Sequence, residues 1–220
     1  MPLPLRGTTD AVCGDIRREP PCWASSIGWV FLDRDGTLNV KPPDGEYVEH
    51  PDALQLLPGA AEGVRMLNRA GVWTGVVTNQ RGVALGRMSI EDLDAVHARL
   101  RRLLHRQGAF VEAIYACPHG LDECTCRKPQ PGLLLQARAE HPALDFAHAA
   151  IVGDSASDMQ AGSALGLRTV LISTSEQDRA CCDPDHIVSD LVQAADLLLA
   201  SSQASTVEGL DLKGRQEGDR

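Results

Sequence analysis

Two acidic residues directly follow a short apolar run near the start of the chain. Residues Trp29 to Leu32 are apolar, and Asp33 and Asp35 come next, with Gly36 behind them. Because side chains alternate in direction along extended backbone, both carboxylates can face one cavity. One carboxylate can attack a phosphorus atom while the other transfers a proton, which divides a hydrolysis into two easier steps. The pair therefore indicates phosphoryl-transfer chemistry at the end of a strand.

Three further positions carry groups suited to a phosphate. Thr78 follows the apolar segment 72–77, and its hydroxyl and the nearby backbone N–H groups can cradle a phosphate. Lys128 could neutralise the charge of a bound phosphate and of the transition state. Arg127 could clamp a substrate phosphate or hydroxyl pair through its planar fork. We therefore expect a phosphate ester as the substrate.

A third acidic strand end indicates a metal site. Asp154 follows the apolar segment 149–153 and would bind Mg²⁺ beside Asp33, with Asp35 as a further ligand through its backbone carbonyl. Magnesium takes few protein oxygens and leaves its other positions to water and substrate. Without a cation, an anionic Asp33 would be repelled by an anionic phosphate. Asp158 is expected to orient its neighbours and not to touch the metal.

A compact cysteine cluster predicts a second metal. Cys117, His119, Cys124 and Cys126 place three thiols and an imidazole within ten positions. This is the ligand set of a closed tetrahedral Zn²⁺ site, which leaves no position for water and is therefore structural. In a reducing compartment such a cluster favours a metal over disulfides. The zinc loop, residues 117–126, runs directly into Arg127 and would hold the cations that follow it.

The polar residues described above must be positioned by an alternation of strands and helices. Apolar strand segments and amphipathic helix segments alternate from residue 29 to residue 200. This order predicts a Rossmann-like three-layer α/β/α sandwich with a mostly parallel central sheet, and little is inserted that could form a large cap domain. Ligands bind at the carboxyl ends of such strands, where Asp33, Thr78 and Asp154 would meet. We predict one domain over 27–200, with disordered arms at 1–26 and 201–220.

The composition argues against nucleic acid and membranes as partners. The formal net charge of −9 does not favour nucleic acid or an anionic membrane surface. No window approaches the about 18 apolar residues of a membrane span, and the first residues lack the pattern of a secretion signal. We therefore expect a cytoplasmic monomer that acts on a small molecule.

The ordered motifs resemble the haloacid dehalogenase superfamily of phosphatases from about Trp29 to Ile172. The resemblance implies that Asp33 is the nucleophile and Asp35 the general acid/base. It also implies that Thr78 and Lys128 hold the transferring phosphoryl group, and that Asp154 helps to bind Mg²⁺.

The zinc loop narrows the resemblance to a branch whose members dephosphorylate heptose 1,7-bisphosphates or histidinol phosphate. The segments 79–84 and 45–48 favour the heptose enzymes, in which residues at the positions of Tyr47 and Arg127 contact the sugar. The further candidate substrate contacts are Asp44, Asn79, Gln80 and Arg81. Two features depart from the heptose pattern: the segment 40–46 is long, and Ser155 stands where lysine is typical. A histidinol-phosphate phosphatase and a non-catalytic phosphosugar-binding protein remain the alternatives.

Overall fold

The computed structural model describes residues 27–173 and 182–200. The disordered arms predicted at 1–26 and 201–220 lie outside the described residues.

One six-stranded parallel sheet forms the centre of the fold. Its strands are β1 (Trp29–Leu32), β2 (Trp73–Asn79), β3 (Ala113–Cys117), β4 (Ala149–Gly153), β5 (Arg168–Ile172) and β6 (His186–Val188). They lie in the order β3-β2-β1-β4-β5-β6, and Leu32 of β1 is in register with Val76 on one side and Val152 on the other. The chain therefore extends the sheet in one direction from β1, then returns to β1 and extends it in the other.

Helices cover both faces of this sheet. They are α1 (Ala60–Arg69), α2 (Ile90–Arg106), α3 (Gly132–Glu140), α4 (Ala156–Ser163) and α5 (residues 191–200). Val30 and Leu32 of β1 pack in one apolar core with α1, α2 and α5, whereas Phe31 packs in a second core with α3 and α4. The alternation of side chains along a buried strand supplies both cores at once. The predicted three-layer sandwich is confirmed.

The helix starts show how local sequence sets the boundaries. Ser89 caps the start of α2, because its hydroxyl accepts a hydrogen bond from the Asp92 N–H at 3.1 Å. α4 begins at Ala156, because Ser155 and Asp158 form a capping box directly before it. β2 also runs two residues further than the segment 72–77, so Thr78 lies within the strand.

The order of the strands creates a crevice between β1 and β4. The connections leave these two neighbours in opposite directions, and ligands bind at such switch points in open α/β sheets. Within 27–173 and 182–200, no connection builds a separate folded domain over the end of β1. Nor does any helix there have the length and apolar character needed to cross a membrane.

Candidate active site

Asp33 lies at the carboxyl end of β1, directly in the crevice. Its backbone N–H donates to the Val152 carbonyl of β4 at 2.9 Å, which continues the sheet ladder into the site. Its carboxylate accepts a hydrogen bond from the Lys128 ammonium at 2.8 Å. Lys128 is itself buried, and it also contacts the Val77 carbonyl at 2.6 Å and the Asp158 carboxylate at 2.5 Å. The Lys128 ammonium is therefore held by three acceptors: Asp33 after β1, the Val77 carbonyl of β2 and Asp158 of α4.

The electrostatics of the Asp33–Lys128 pair are set by burial and by a surplus of acids. Burial raises the pKa of Asp33 to about 7, the Lys128 charge opposes this, and the charges of Asp158 and Asp154 add to it. Burial also lowers the pKa of Lys128, but Asp158 and Asp33 more than offset this and hold it above its usual range. Lys128 is therefore charged at neutral pH, and the Asp33 carboxylate needs more positive charge than Lys128 provides.

Asp154 offers an oxygen suited to a metal ion. Its Oδ1 is buried and has no hydrogen-bond partner among the residues that the structure describes. Asp33, Asp154 and Asp158 each contribute an oxygen to a cluster whose atoms lie within 4.8 Å of one another. Gly36 (φ +89°) passes so close that a Cβ there would lie 2.1 Å from Asp154 Oδ2. These hard oxygen donors, one of them free, fit a magnesium ion at the mouth of the crevice.

Asp35 is held by hydrogen bonds to both of its oxygens. Arg34 donates to Oδ1 and Oδ2, and its closest contact is 2.8 Å. The side-chain amides of Asn39 and Gln80 donate to Oδ1 and Oδ2, each at 2.8 Å. The Asp35 side chain still reaches the cavity, with 20% of its surface exposed. Its carboxylate is thus fixed in orientation at the edge of the site.

Thr78 and Asn79 face the site from the end of β2. Thr78 lines the cavity, and its hydroxyl accepts a hydrogen bond from the Gln80 amide at 2.8 Å. The Asn79 side chain accepts from the Lys128 N–H at 3.0 Å and donates to the Lys128 carbonyl at 2.9 Å. Asn79 therefore fastens the segment that carries Lys128 to the sheet, and its amide is occupied by that task.

A cavity of about 320 Å³ opens above these residues. The segment 41–47 forms one wall, which includes the predicted contacts Asp44 and Tyr47, and Arg127 lies on the lining as well. The Nη1 atom of Arg127 is buried without a hydrogen-bond partner within the described residues. Lys41 reaches from the same wall to Asp154 Oδ2 at 2.8 Å. The cavity thus carries two cations, Lys41 and Arg127, besides the one bound to Asp33.

The structure separates the predicted substrate contacts into two groups. Asp44, Tyr47, Asn79 and Arg127 line the cavity, whereas Gln80 and Arg81 do not. Gln80 is fully buried and its amide bonds to Asp35, Thr78 and Arg34, so it supports the site from beneath.

Sequence reasoning missed two residues of the site and saw only part of the role of a third. Arg34 had no assigned role, and Lys41 was considered only as part of a long loop. Asp158 was expected to orient its neighbours, and its contact with Lys128 at 2.5 Å was not anticipated. One signal was available: Arg34 stands between the two aspartates of a buried strand end, where a charged side chain needs a partner.

The zinc ligands predicted from the cysteine spacing converge in space. Sulfur to sulfur, Cys124 lies 3.5 Å from Cys117 and 3.2 Å from Cys126. The Nδ1 atom of His119 lies 3.6 Å from the Cys117 sulfur and 3.3 Å from the Cys126 sulfur. Zinc–sulfur bonds of about 2.3 Å and zinc–nitrogen bonds of about 2.0–2.1 Å give tetrahedral edges of about 3.8 Å between two sulfurs and about 3.6 Å between sulfur and nitrogen, close to these spacings. The four atoms therefore fit one zinc ion.

Comparison with known proteins agrees with this geometry. Residues 125–194 match a family described as HAD-hydrolase-like. The D-glycero-β-D-manno-heptose-1,7-bisphosphate 7-phosphatase of Pseudomonas aeruginosa is 39% identical over 175 residues, which cover 77% of this chain and 97% of that protein. The corresponding α-anomer enzyme of Mycobacterium tuberculosis is 39% identical over 132 residues, covering 60% of this chain and 69% of that protein.

A solved structure shows the same relationship in three dimensions. The D,D-heptose 1,7-bisphosphate phosphatase of Bordetella bronchiseptica, crystallised with magnesium and phosphate, superimposes with a TM-score of 0.72 at 32% identity. The match covers 78% of this chain and 98% of that structure. The chain therefore belongs to the haloacid dehalogenase-like phosphatases, in the group that contains the heptose-1,7-bisphosphate phosphatases.

Proposed function

We propose that this phosphatase is a magnesium-dependent phosphomonoester hydrolase that works through an aspartyl-phosphate on Asp33. The observation that supports this best is the buried pair of Asp33 and Lys128, at 2.8 Å, beside the free buried oxygen of Asp154. A carboxylate nucleophile, a fixed cation and an open metal position are the groups that the reaction requires.

The first step transfers the phosphoryl group to the protein. A carboxylate oxygen of Asp33 bonds to phosphorus as the ester P–O bond breaks, and Asp35 gives its proton to the departing alkoxide. Lys128 and the Thr78 hydroxyl hold the phosphoryl oxygens. Lys128 is already buried and bonded in the free protein, so it needs no rearrangement to stabilise the developing charge.

The second step regenerates the nucleophile. A water molecule attacks the phosphorus of the aspartyl-phosphate and gives a proton to Asp35, and the bond between phosphorus and Asp33 breaks. Asp33 returns as a carboxylate, Asp35 is protonated again, and inorganic phosphate leaves. The openness of the crevice above Asp35, whose side chain is 20% exposed, allows this water to enter.

Two metals support these steps. Magnesium, held by Asp33 and Asp154 with a predicted contribution from Asp35, would supply the positive charge that lets an anionic carboxylate approach a phosphate. Zinc, held by Cys117, His119, Cys124 and Cys126, would have a structural role, since the four protein ligands complete its coordination.

The substrate we propose is D-glycero-D-manno-heptose 1,7-bisphosphate, which would lose its 7-phosphate. The names of the relatives support this choice. The charge of the cavity supports it independently, because Lys41 and Arg127 provide cations for a second phosphate beyond the one held by Lys128. In a chain of net charge −9, a bisphosphate would be recognised through such local cations.

The test is phosphate release on a matched panel of substrates. It contains heptose 1,7-bisphosphate as both anomers, histidinol phosphate, fructose 1,6-bisphosphate and p-nitrophenyl phosphate, each with and without Mg²⁺. We expect Mg²⁺-dependent release of the 7-phosphate from the heptose and none from Asp33→Asn. A preference for histidinol phosphate would be consistent with the proposed mechanism but would refute the heptose bisphosphate as the substrate. No turnover with both metals bound would refute the enzyme and favour a phosphosugar-binding protein.

The second phosphate can be tested at Lys41. Lys41→Met should raise the KM for the bisphosphate about tenfold, because a charge-assisted contact is lost, and leave the KM for p-nitrophenyl phosphate unchanged. Arg65→Met is the matched control, since Arg65 forms an exposed ion pair with Glu62 on α1, away from the cavity. An equal change in both KM values would refute a role for Lys41 in binding the distal phosphate.

A further inference from the structure

A buried arginine lies between the two aspartates of the site. The Arg34 side chain is completely buried, and its guanidinium meets the Asp35 carboxylate through three contacts. They run from Nε to Oδ1 at 3.1 Å and from Nη2 to Oδ1 and Oδ2 at 3.0 and 2.8 Å. Burying an arginine is costly unless its charge is paired and its donors are satisfied. In its ionised form, Asp35 therefore provides the charge partner that permits Arg34 to lie in the interior.

Two neutral side chains complete the surroundings of this guanidinium. Gln80, fully buried at the end of β2, accepts from Arg34 Nη2 at 3.0 Å and donates to both Asp35 and Thr78 at 2.8 Å. His97 of α2 lies 3.4 Å from Arg34 Nη1. Because a guanidinium only donates, His97 Nε2 is the acceptor, so this histidine is neutral. Burial, with the Arg34 charge adding to it, lowers the pKa of His97 to about 4, which agrees.

We propose that Arg34, supported by Gln80 and His97, is the positioning residue of the general acid/base Asp35. The inference rests on the proposed function, in which Asp35 exchanges a proton with the leaving group and then with water. Arg34 does not line the cavity, so it acts on the reaction through Asp35 and not on the substrate. The Gln80 amide also donates to the Thr78 hydroxyl. Its hydrogen bonds to Asp35 and Thr78 therefore connect the ends of β1 and β2.

The chemistry of the leaving group separates this role from a merely structural one. An alkoxide is a poor leaving group and needs the proton of Asp35, whereas p-nitrophenolate departs without one. If Arg34 positions the Asp35 carboxyl group, a substitution of Arg34 should slow phosphoryl transfer from a sugar phosphate but not from p-nitrophenyl phosphate. Hydrolysis of the aspartyl-phosphate also uses Asp35, so it should slow with either substrate.

The variant to measure is Arg34→Lys, which keeps the charge and loses the planar fork. We expect kcat/KM for heptose 1,7-bisphosphate to fall about 100-fold, as for an acid displaced by about 1 Å. With p-nitrophenyl phosphate, the pre-steady-state burst should keep its rate within about threefold while the following steady state slows about 100-fold. Because the intermediate still forms but is hydrolysed more slowly, more aspartyl-phosphate should accumulate in Arg34→Lys than in the wild type during turnover of p-nitrophenyl phosphate. The affinity for inorganic phosphate, measured calorimetrically with Mg²⁺, should stay as in the wild type.

Two more variants distinguish a loss of positioning from a general loss of folding. Gln80→Leu should reproduce the same selective loss, because it removes a donor to Asp35 and an acceptor of Arg34 while the arginine itself remains. Arg168→Lys makes the same exchange at an equally buried arginine on β5, and should leave the ratio of the two substrates unchanged. The proposal would be overturned if, in folded Arg34→Lys and Gln80→Leu, the burst rate with p-nitrophenyl phosphate fell as much as kcat/KM for heptose 1,7-bisphosphate. If the wild type is inactive, or Asp35→Asn shows no leaving-group dependence, the proposed function itself fails.

Discussion

Replacing Asp33 by asparagine is expected to stabilise the metal-free protein although it removes the proposed nucleophile. The Asp33 carboxyl is buried beside Asp154 and Asp158, with oxygens of all three within 4.8 Å. Burial first, and then the charges of these two acids, raises its pKa from 3.8 to about 7 despite the attraction of Lys128. Folding thus transfers a carboxylate into a place that disfavours its charge, and an amide avoids that cost.

The size of the gain follows from the change in pKa. Because the folded-state pKa lies above the unfolded value, the native protein binds more protons between pH 4 and pH 7, and its stability falls as the pH rises through that range. A displacement from 3.8 to about 7 corresponds to about 4 kcal/mol. Lys128 loses one partner in the variant but keeps Asp158 at 2.5 Å and the Val77 carbonyl at 2.6 Å. We therefore expect a net gain of about 2 kcal/mol at pH 8.

The assay is calorimetric unfolding of zinc-loaded protein without magnesium, at pH 5 and pH 8. Asp33→Asn should unfold about 4–8 °C higher than the wild type at pH 8. At pH 5 the two should nearly coincide, because the folded-state carboxyl is protonated there and the penalty on its charge is smaller by about 2.7 kcal/mol than at pH 8, which cancels the net gain. Asp52→Asn, at an exposed position outside the cavity, is the control and should stay within about 0.5 kcal/mol of the wild type at both pH values.

Two results would refute this reasoning. One is an Asp33→Asn variant that is no more stable than the wild type at pH 8. The other is an equal gain at pH 5 and pH 8, which would mean that the stabilisation does not come from removing a disfavoured charge.

Three further predictions concern the metals. Gly36→Ala should abolish Mg²⁺ binding in calorimetry, because its Cβ would lie 2.1 Å from Asp154 Oδ2, whereas Gly45→Ala, with a similar φ of +83° but open space around it, should retain it. Magnesium at about 100 times its Kd should stabilise the wild type by about 2.7 kcal/mol, and a shift of the same size in Asp154→Asn would contradict the assigned site. Cys124→Ser should lose zinc in elemental analysis and lose most of its activity, while Cys182→Ser, a cysteine outside the cluster, should change neither.

Much of the site could be predicted because it depends on short-range patterns. Apolar segments that end in acids indicate buried strands with functional ends, and the alternation of strands and helices brings those ends to one edge of a parallel sheet. Asp33, Thr78 and Asp154 were identified in this way. The cysteine cluster is also local, since its four ligands lie within ten positions of one another.

Other features depended on contacts between distant parts of the chain. Lys128 and Asp33 are 95 positions apart, and Lys41 and Asp154 are 113 apart. Gln80 was assigned to the substrate from its place in a motif, but it follows β2 into the interior and bonds to Asp35. Periodicity predicts which way a strand residue faces, but it does not identify the neighbour that a side chain in the following turn meets.

The sequence by itself determined the class of chemistry and the fold, and it predicted two groups of candidate metal ligands. These depend on residue type and spacing, which hydrophobic periodicity and metal coordination translate directly into structure. Only the tertiary structure decided that the Asp158 carboxylate contacts the Lys128 ammonium and that the Arg34 side chain lies buried beneath Asp35. A buried charge takes the partner that the packed strands and helices bring within reach, and that partner exists only once the whole sheet has formed.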